Sequence, residues 1–182
     1  PMGIGVLYGK RALLDAMPPF LTGGEMIESV TRDGATYAEL PHKFEAGTVN
    51  AAGAAGLNAA LHYVDTVGFD AIRQREHELT HYAFDALSAI DHVHILGSPL
   101  WQEHNGILTF TLDGVHPHDI SEILASDGVN VRAGHHCAQP LLTHLGVNAT
   151  VRASLAFYNT TDERDRLIGS ISTLRERMGY GK

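Results

Sequence analysis

The sequence has one cysteine, Cys137, and so no second thiol with which to close an internal disulfide. It has no apolar run approaching the ~20 residues that a bilayer-spanning helix needs, so no membrane partner is expected. Positive charge is scarce as well. Lys+Arg 13 stand against Asp+Glu 21, a formal net charge of -8, and no cationic cluster is present that could neutralise several phosphates; nucleic acid is not an expected partner. No internal repeat, low-complexity tract or heptad run occurs. Gly3-Ile-Gly5 lacks the preceding strand and immediately following helix of a dinucleotide fingerprint, no Walker lysine pattern exists, and Glu76-His77-Glu78 lacks metalloprotease spacing. The opening Pro1-Met2-Gly3 is no signal peptide, and a lone thiol suits a reducing compartment, so a cytoplasmic location is expected.

What is present reads as a globular α+β chain. At 182 residues and 19.7 kDa it can bury a substantial core. The apolar, glycine-bearing stretch 4–8 reads as a short buried strand and 10–17 as a helical turn or two stopped by Pro18-Pro19. The glycine-rich, polar stretch 20–37 predicts an irregular exposed loop. Small residues at helical spacing over 51–64 predict a tightly packed helix ended by Gly68, with a domain boundary near it. A long amphipathic helix follows over 69–90, with Ile72, Leu79, Tyr82, Ala83, Ala86 and Leu87 near one face and Arg73, Arg75, Glu76 and Glu78 largely on the other. Residues 92–96, 106–112, 128–132 and 151–156 read as strands. Residues 117–126 form a helix with Pro117 in its first turn, and Thr161 opens a last amphipathic helix through Leu167, Ile171 and Leu174.

The densest chemistry lies in Arg132-Ala-Gly-His-His-Cys-Ala-Gln-Pro140. Nearby cations favour a thiolate, so Arg132, His135 and His136 make Cys137 a candidate nucleophile; a buried core cysteine is the plain alternative. A metal site is the third reading, but adjacent His135, His136 and Cys137 seldom converge on one tetrahedral ion, His116-Pro117-His118 has the same weakness, and no paired cysteine spacing exists. No metal is expected. Arg152 sits in the apolar segment Val151-Arg-Ala-Ser-Leu155, where a charged head calls either for an internal carboxylate or for a ligand carboxylate that its planar fork can grip. Gly47-Thr48 precedes a helix, as a phosphate holder or as a simple turn and cap.

These residues carry a resemblance. Residues 130–160, with Asn-Val-Arg-Ala-Gly-His-His-Cys-Ala-Gln-Pro-Leu-Leu and then Val-Arg-Ala-Ser-Leu-Ala-Phe-Tyr-Asn-Thr, resemble the C-terminal part of a group II (SufS-type) cysteine desulfurase, a fold-type I enzyme of the class V aminotransferase family. Gly3-Ile-Gly-Val-Leu-Tyr-Gly9, Gly23-Gly24-Glu25-Met26-Ile27 and Phe44-Glu-Ala-Gly-Thr48 resemble family signatures in the same order, with Val49 where the family commonly has proline. The resemblance implies that residues 1–60 are the trailing segment of the large cofactor-binding α/β domain and 61–182 the small C-terminal α+β domain. It implies pyridoxal phosphate as cofactor of the complete enzyme and L-cysteine as substrate. Sulfur would pass to Cys137 as a persulfide, leaving alanine. Arg152 matches the arginine that grips the substrate carboxylate, and Thr48 a residue reaching the cofactor phosphate of the neighbouring subunit, hence a homodimer. Arg132, His135 and His136 belong to the surrounding loop. A SufE-like or SufU-like protein is the implied acceptor, for iron-sulfur cluster assembly.

The Schiff-base lysine of the family has no match, since neither Lys10 nor Lys43 corresponds to it. The chain alone is therefore expected not to bind the cofactor, and to be an inactive fragment of a longer desulfurase. The rival reading is a non-enzymatic persulfide carrier or binding module that retains the cysteine loop.

Overall fold

The structure, a computed structural model, describes residues 2–180. It divides into two compact units, one ending at Val67 and the other starting at Gly68. The helix spanning the expected boundary after residue 60 is continuous, so the division falls at its end.

In the first unit the expected strand over 4–8 is not formed. These residues have no regular secondary structure and no strand partner, and Val6 and Tyr8 are 80% and 92% exposed. Pro1, the start of that reading, lies outside the described residues. Helix α1 (Arg11–Ala16) follows. The stretch expected to be an irregular loop instead holds a two-stranded antiparallel hairpin, β1 (Ile27–Val30) and β2 (Ala35–Tyr37), beside a fully buried Met26. Its strands are almost wholly exposed, so they lack the apolar alternation that would have signalled them. Lys43 donates to the carbonyls of Leu14 and Asp15, tying a 3-10 turn (His42–Phe44) to the end of α1. Helix α2 (Ala51–Val67) is capped by Asn50, whose Oδ1 accepts the Gly53 amide at 2.8 Å.

The second unit begins with α3 (Phe69–Ser88) and continues through β3 (Val93–Leu96), β4 (Ile107–Leu112), α4 (Pro117–Ser126), β5 (Arg132–Gly134), α5 (Gln139–His144), β6 (Thr150–Ser154) and α6 (Thr161–Arg177). The strands form one antiparallel sheet in the order β3-β4-β6-β5. Alternation puts Leu108, Phe110 and Leu112 of β4 and Val151 and Ala153 of β6 on one face. There they pack with Ala83 and Leu87 of α3, Ile120 and Leu124 of α4, and Leu167, Ile171 and Leu174 of α6. Of the face expected on α3, Leu79, Ala83 and Leu87 are buried. Tyr82 is half exposed and lies under the Arg164 guanidinium, 3.6 Å from its ring centroid. His81 stacks on Trp101 with ring centroids 4.2 Å apart.

The strand expected over 128–132 starts only at Arg132. Gly128, at φ +80°, closes α4: its amide bonds Ala125 O and the Val129 amide bonds Leu124 O, so these residues belong to a helix terminus and a connector. Helix α6 opens with a reciprocal box, Thr160 Oγ1 accepting the Glu163 amide and Glu163 Oε2 accepting the Thr160 amide.

Gly106 (φ +72°) is a point where only glycine fits, because a Cβ there would lie 2.5 Å from the Leu155 carbonyl oxygen. Gly106→Ala is expected to destabilise the protein by about 2 kcal/mol or more. Gly169→Ala, at an exposed position of α6 with open space around it, is expected to stabilise by about 0.5–1 kcal/mol. Denaturant unfolding of both variants checks the pair.

Candidate active site

Strands β5 and β6 build the site from opposite sides of one ladder. Arg132 pairs with Arg152 and Gly134 with Thr150. Side chains alternate across a strand, so Arg152 and Thr150 share the face opposite Val151 and Ala153 of the core. Two guanidinium groups thus start from directly opposed positions. Among the described residues Arg152 has no carboxylate partner, and its Nε is buried without a hydrogen bond. Like charges facing each other across a ladder cost about 0.2–1 kcal/mol, and a buried unpartnered donor costs about 1–3 kcal/mol. Of the two sequence readings for Arg152, the internal salt bridge is not formed among the described residues.

Beyond Gly134 the chain turns sharply. His136 and Cys137 both have positive φ, 55° and 59°, and the Ala138 amide donates to the His135 carbonyl at 2.9 Å. Two consecutive left-handed residues closed in this way have the signature of a type I′ turn, normally made by glycine, asparagine or aspartate. A non-glycine residue held there costs about 1–3 kcal/mol. The turn projects Cys137 as an exposed thiol, which removes the core-cysteine reading. Arg132 Nη2 donates to Cys137 Sγ at 3.1 Å. The thiol opens onto a shallow cleft of about 560 Å³ lined by Arg132 to Cys137, Gln139 and Pro140.

His135 is exposed and serves the turn through its carbonyl. His136 turns inward, its Nε2 2.7 Å from Thr150 Oγ1 and its Nδ1 buried without a partner. Burial first, then the Arg152 and Arg132 charges, hold its pKa below the ordinary imidazole value; the Thr150 backbone opposes and His135 adds to the depression. His136 is therefore neutral near pH 7. Thr150 was not singled out in the sequence, where a threonine opening a strand carries no signal of its own.

Thr48 belongs to the other unit. Gly47 before it has φ +77° and its amide bonds Gly24 O at 2.8 Å. Because Asn50 caps α2, the Thr48 hydroxyl is not spent on the helix start, and it stands exposed. No three His, Cys, Asp or Glu side chains among the described residues are grouped to hold a metal ion. No described helix is long and apolar enough to cross a membrane.

The profile of the class-V aminotransferases matches residues 1–167. The chain belongs to the aminotransferase class-V family. It is 49% identical over 180 residues to a protein of Staphylococcus epidermidis named "Probable cysteine desulfurase", covering 99% of this chain and 43% of that protein. A Staphylococcus aureus protein of the same name gives the same identity and coverage. Among solved structures, the cysteine desulfurase CsdA (S-sulfonic acid) of Escherichia coli matches with TM-score 0.90 and 41% identity over 97% of this chain and 43% of that one. The apo cysteine desulfurase of Thermococcus onnurineus NA1 matches with TM-score 0.91 and 40% identity, over 97% and 44%. The chain thus spans less than half the length of these relatives.

Enzymes of this parent family, cysteine desulfurases included, depend on pyridoxal phosphate, which needs an amine to anchor its aldehyde as well as a phosphate holder. Lys43 spends its ammonium on two carbonyls and Lys10 is exposed beside α1. Among the described residues Arg152 offers a guanidinium that suits an anion, while Lys43 is not free to anchor the cofactor's aldehyde.

The depressed pKa of His136 fixes a pH effect. Below about pH 6.5 the unfolded chain takes up a proton that the folded one refuses, so the contribution of His136 to stability is full above that value and is lost as pH falls through its folded pKa. Denaturant midpoints measured from about pH 7.5 to 5 should fall less steeply in His136→Gln than in the unaltered protein.

Proposed function

We propose that this chain carries the nucleophile and the substrate clamp of a group II (SufS-type) cysteine desulfurase, which converts L-cysteine to L-alanine and passes the sulfur on. The observation that carries this reading is the pairing of Arg132 with Arg152 across the ladder, neither with a carboxylate partner among the described residues, together with the contact of Arg132 with an exposed thiol. Such a pocket suits an amino acid that brings both a carboxylate and a sulfur atom. Arg152 holds the substrate carboxylate with its planar fork, which leaves the substrate sulfur to meet Cys137. The Cys137 thiolate forms a sulfur–sulfur bond as the substrate carbon–sulfur bond breaks. The electron pair of that bond stays with the carbon, which takes a proton to become the methyl group of alanine. Pyridoxal phosphate, when bound, supplies the electron sink for carbon–sulfur cleavage.

In this reading residues 1–60 are the trailing segment of the large cofactor domain and 61–182 the small C-terminal domain. Thr48 reaches the cofactor phosphate of a neighbouring subunit in a homodimer. The enzyme works in the cytoplasm, and a SufE-like or SufU-like protein takes the persulfide sulfur for iron-sulfur cluster assembly. The exposure of Cys137 supports hand-over to another protein, because a terminal sulfur on that turn is accessible without local unfolding.

One observation favours a second reading. Cys137 is an exposed thiol, which also suits a carrier that accepts a persulfide at that residue and performs no cofactor chemistry.

Cysteine-dependent alanine and sulfide release, assayed with added pyridoxal phosphate and a reductant, separates the two. The desulfurase reading expects turnover that Cys137→Ala abolishes. It also expects Arg152→Ala to raise KM for cysteine about 30-fold, roughly 2 kcal/mol of lost charge-assisted binding. Absence of turnover together with a single-sulfur mass adduct at Cys137 after exposure to a persulfide donor supports the carrier.

A further inference from the structure

We propose that the hydrogen bond between Thr150 Oγ1 and His136 Nε2 is the tether that keeps Cys137 within reach of Arg132, making Thr150 and His136 positioning residues for the sulfur-accepting thiol. The proposal rests on the reading of Cys137 as the attacking sulfur and extends it to residues that touch neither substrate nor thiol.

Three observations converge. The turn that presents Cys137 places two L-residues consecutively in the left-handed region. Such a conformation persists only where its surroundings over-determine it. The amide of Ala138 on the His135 carbonyl closes the turn, but an i to i+3 bond of this kind is made by turns of either hand. A side-chain anchor is needed to select this one, and on His136 it is the 2.7 Å contact to Thr150.

Thr150 is suited to hold that anchor still. It lies on the sheet face opposite the core, as Arg152 does, yet it is 0% exposed. A threonine on an outward face is buried only if something covers it, and its hydrogen-bond partner there is the His136 ring. Its own backbone is fixed by the ladder to Gly134 and continues directly into Val151, a fully buried core residue. Rigidity passes from the core to β6, from Thr150 to His136, and along one peptide bond to Cys137. The neutral state of His136 serves the same end, since a third positive charge, added to those of Arg132 and Arg152, would push the ring away from its seat.

The test compares Thr150→Val, which keeps shape and β-branching but removes the hydroxyl, with Thr150→Ser, which keeps the hydroxyl. The probe is alkylation of Cys137, the only cysteine, by iodoacetate and by the neutral iodoacetamide. A thiol held beside Arg132 reacts preferentially with the anionic reagent. The iodoacetate to iodoacetamide rate ratio is therefore expected to drop roughly threefold or more in Thr150→Val and to stay at the parent value in Thr150→Ser. General loosening speeds or slows both reagents together and does not move the ratio. Should Thr150→Val fail to fold, His136→Asn reads the tether from its other end, since asparagine tolerates the left-handed backbone and is too short to reach Thr150; the same drop is expected. An unchanged ratio in the folded variants, or an equal drop in Thr150→Ser, overturns the proposal. Because alkylation needs neither cofactor nor turnover, failure of the desulfurase reading, seen as absent alanine release, stays distinct from failure of the tether.

Discussion

The short pairing of β5 with β6 is the constraint on which the site depends. Strand β5 contributes only Arg132, Ala133 and Gly134, and has little side-chain mass with which to hold itself in place. Its register comes from β6, whose Val151 and Ala153 are locked into the core against Phe110 and the helices behind it. From that register follow the facing arginines, the entry angle of the turn and the position of the thiol. The most reactive part of the chain thus borrows its order from the best-packed strand, and does so at the sheet edge, where one side remains open to a partner or substrate.

That arrangement concentrates unfavourable terms in a small volume: opposed like charges, an unpartnered guanidinium nitrogen and two left-handed non-glycine residues. Each lowers stability, and among the described residues no carboxylate offsets the first two. An anion between the guanidiniums would remove the first two at once. Local cost of this kind, offset by a ligand, is how a fold holds binding free energy in reserve.

Much of the architecture was legible in the sequence because its signals are local. The 3.6-residue spacing of Leu79, Ala83 and Leu87, the proline opening α4 and the threonine at 161 that opens α6 each mark a helix without reference to anything distant. Strands β3, β4 and β6 were legible through apolar runs. The failures have a common physical origin. Residues 4–8 look like a core strand by composition, yet they find no strand partner among the described residues. The β1–β2 hairpin is held by backbone pairing and a cross-strand bond between Ser29 and Thr36, with hardly any buried face to write a pattern. Strand β5 was displaced because its valines at 129 and 131 suggest a ladder while the small Ala133 and Gly134 are the ones that pair. At the site, Cys137, Arg132 and Arg152 announced themselves by residue type in an unusual context. Thr150 did not, since its importance exists only through a contact across the ladder.

The stack of His81 on Trp101 has a practical reach beyond packing. Trp101 is the one tryptophan of the sequence, and it belongs to the unit that begins at Gly68. Ultraviolet emission excited selectively at the indole therefore follows that unit alone and is silent about the residues up to Val67.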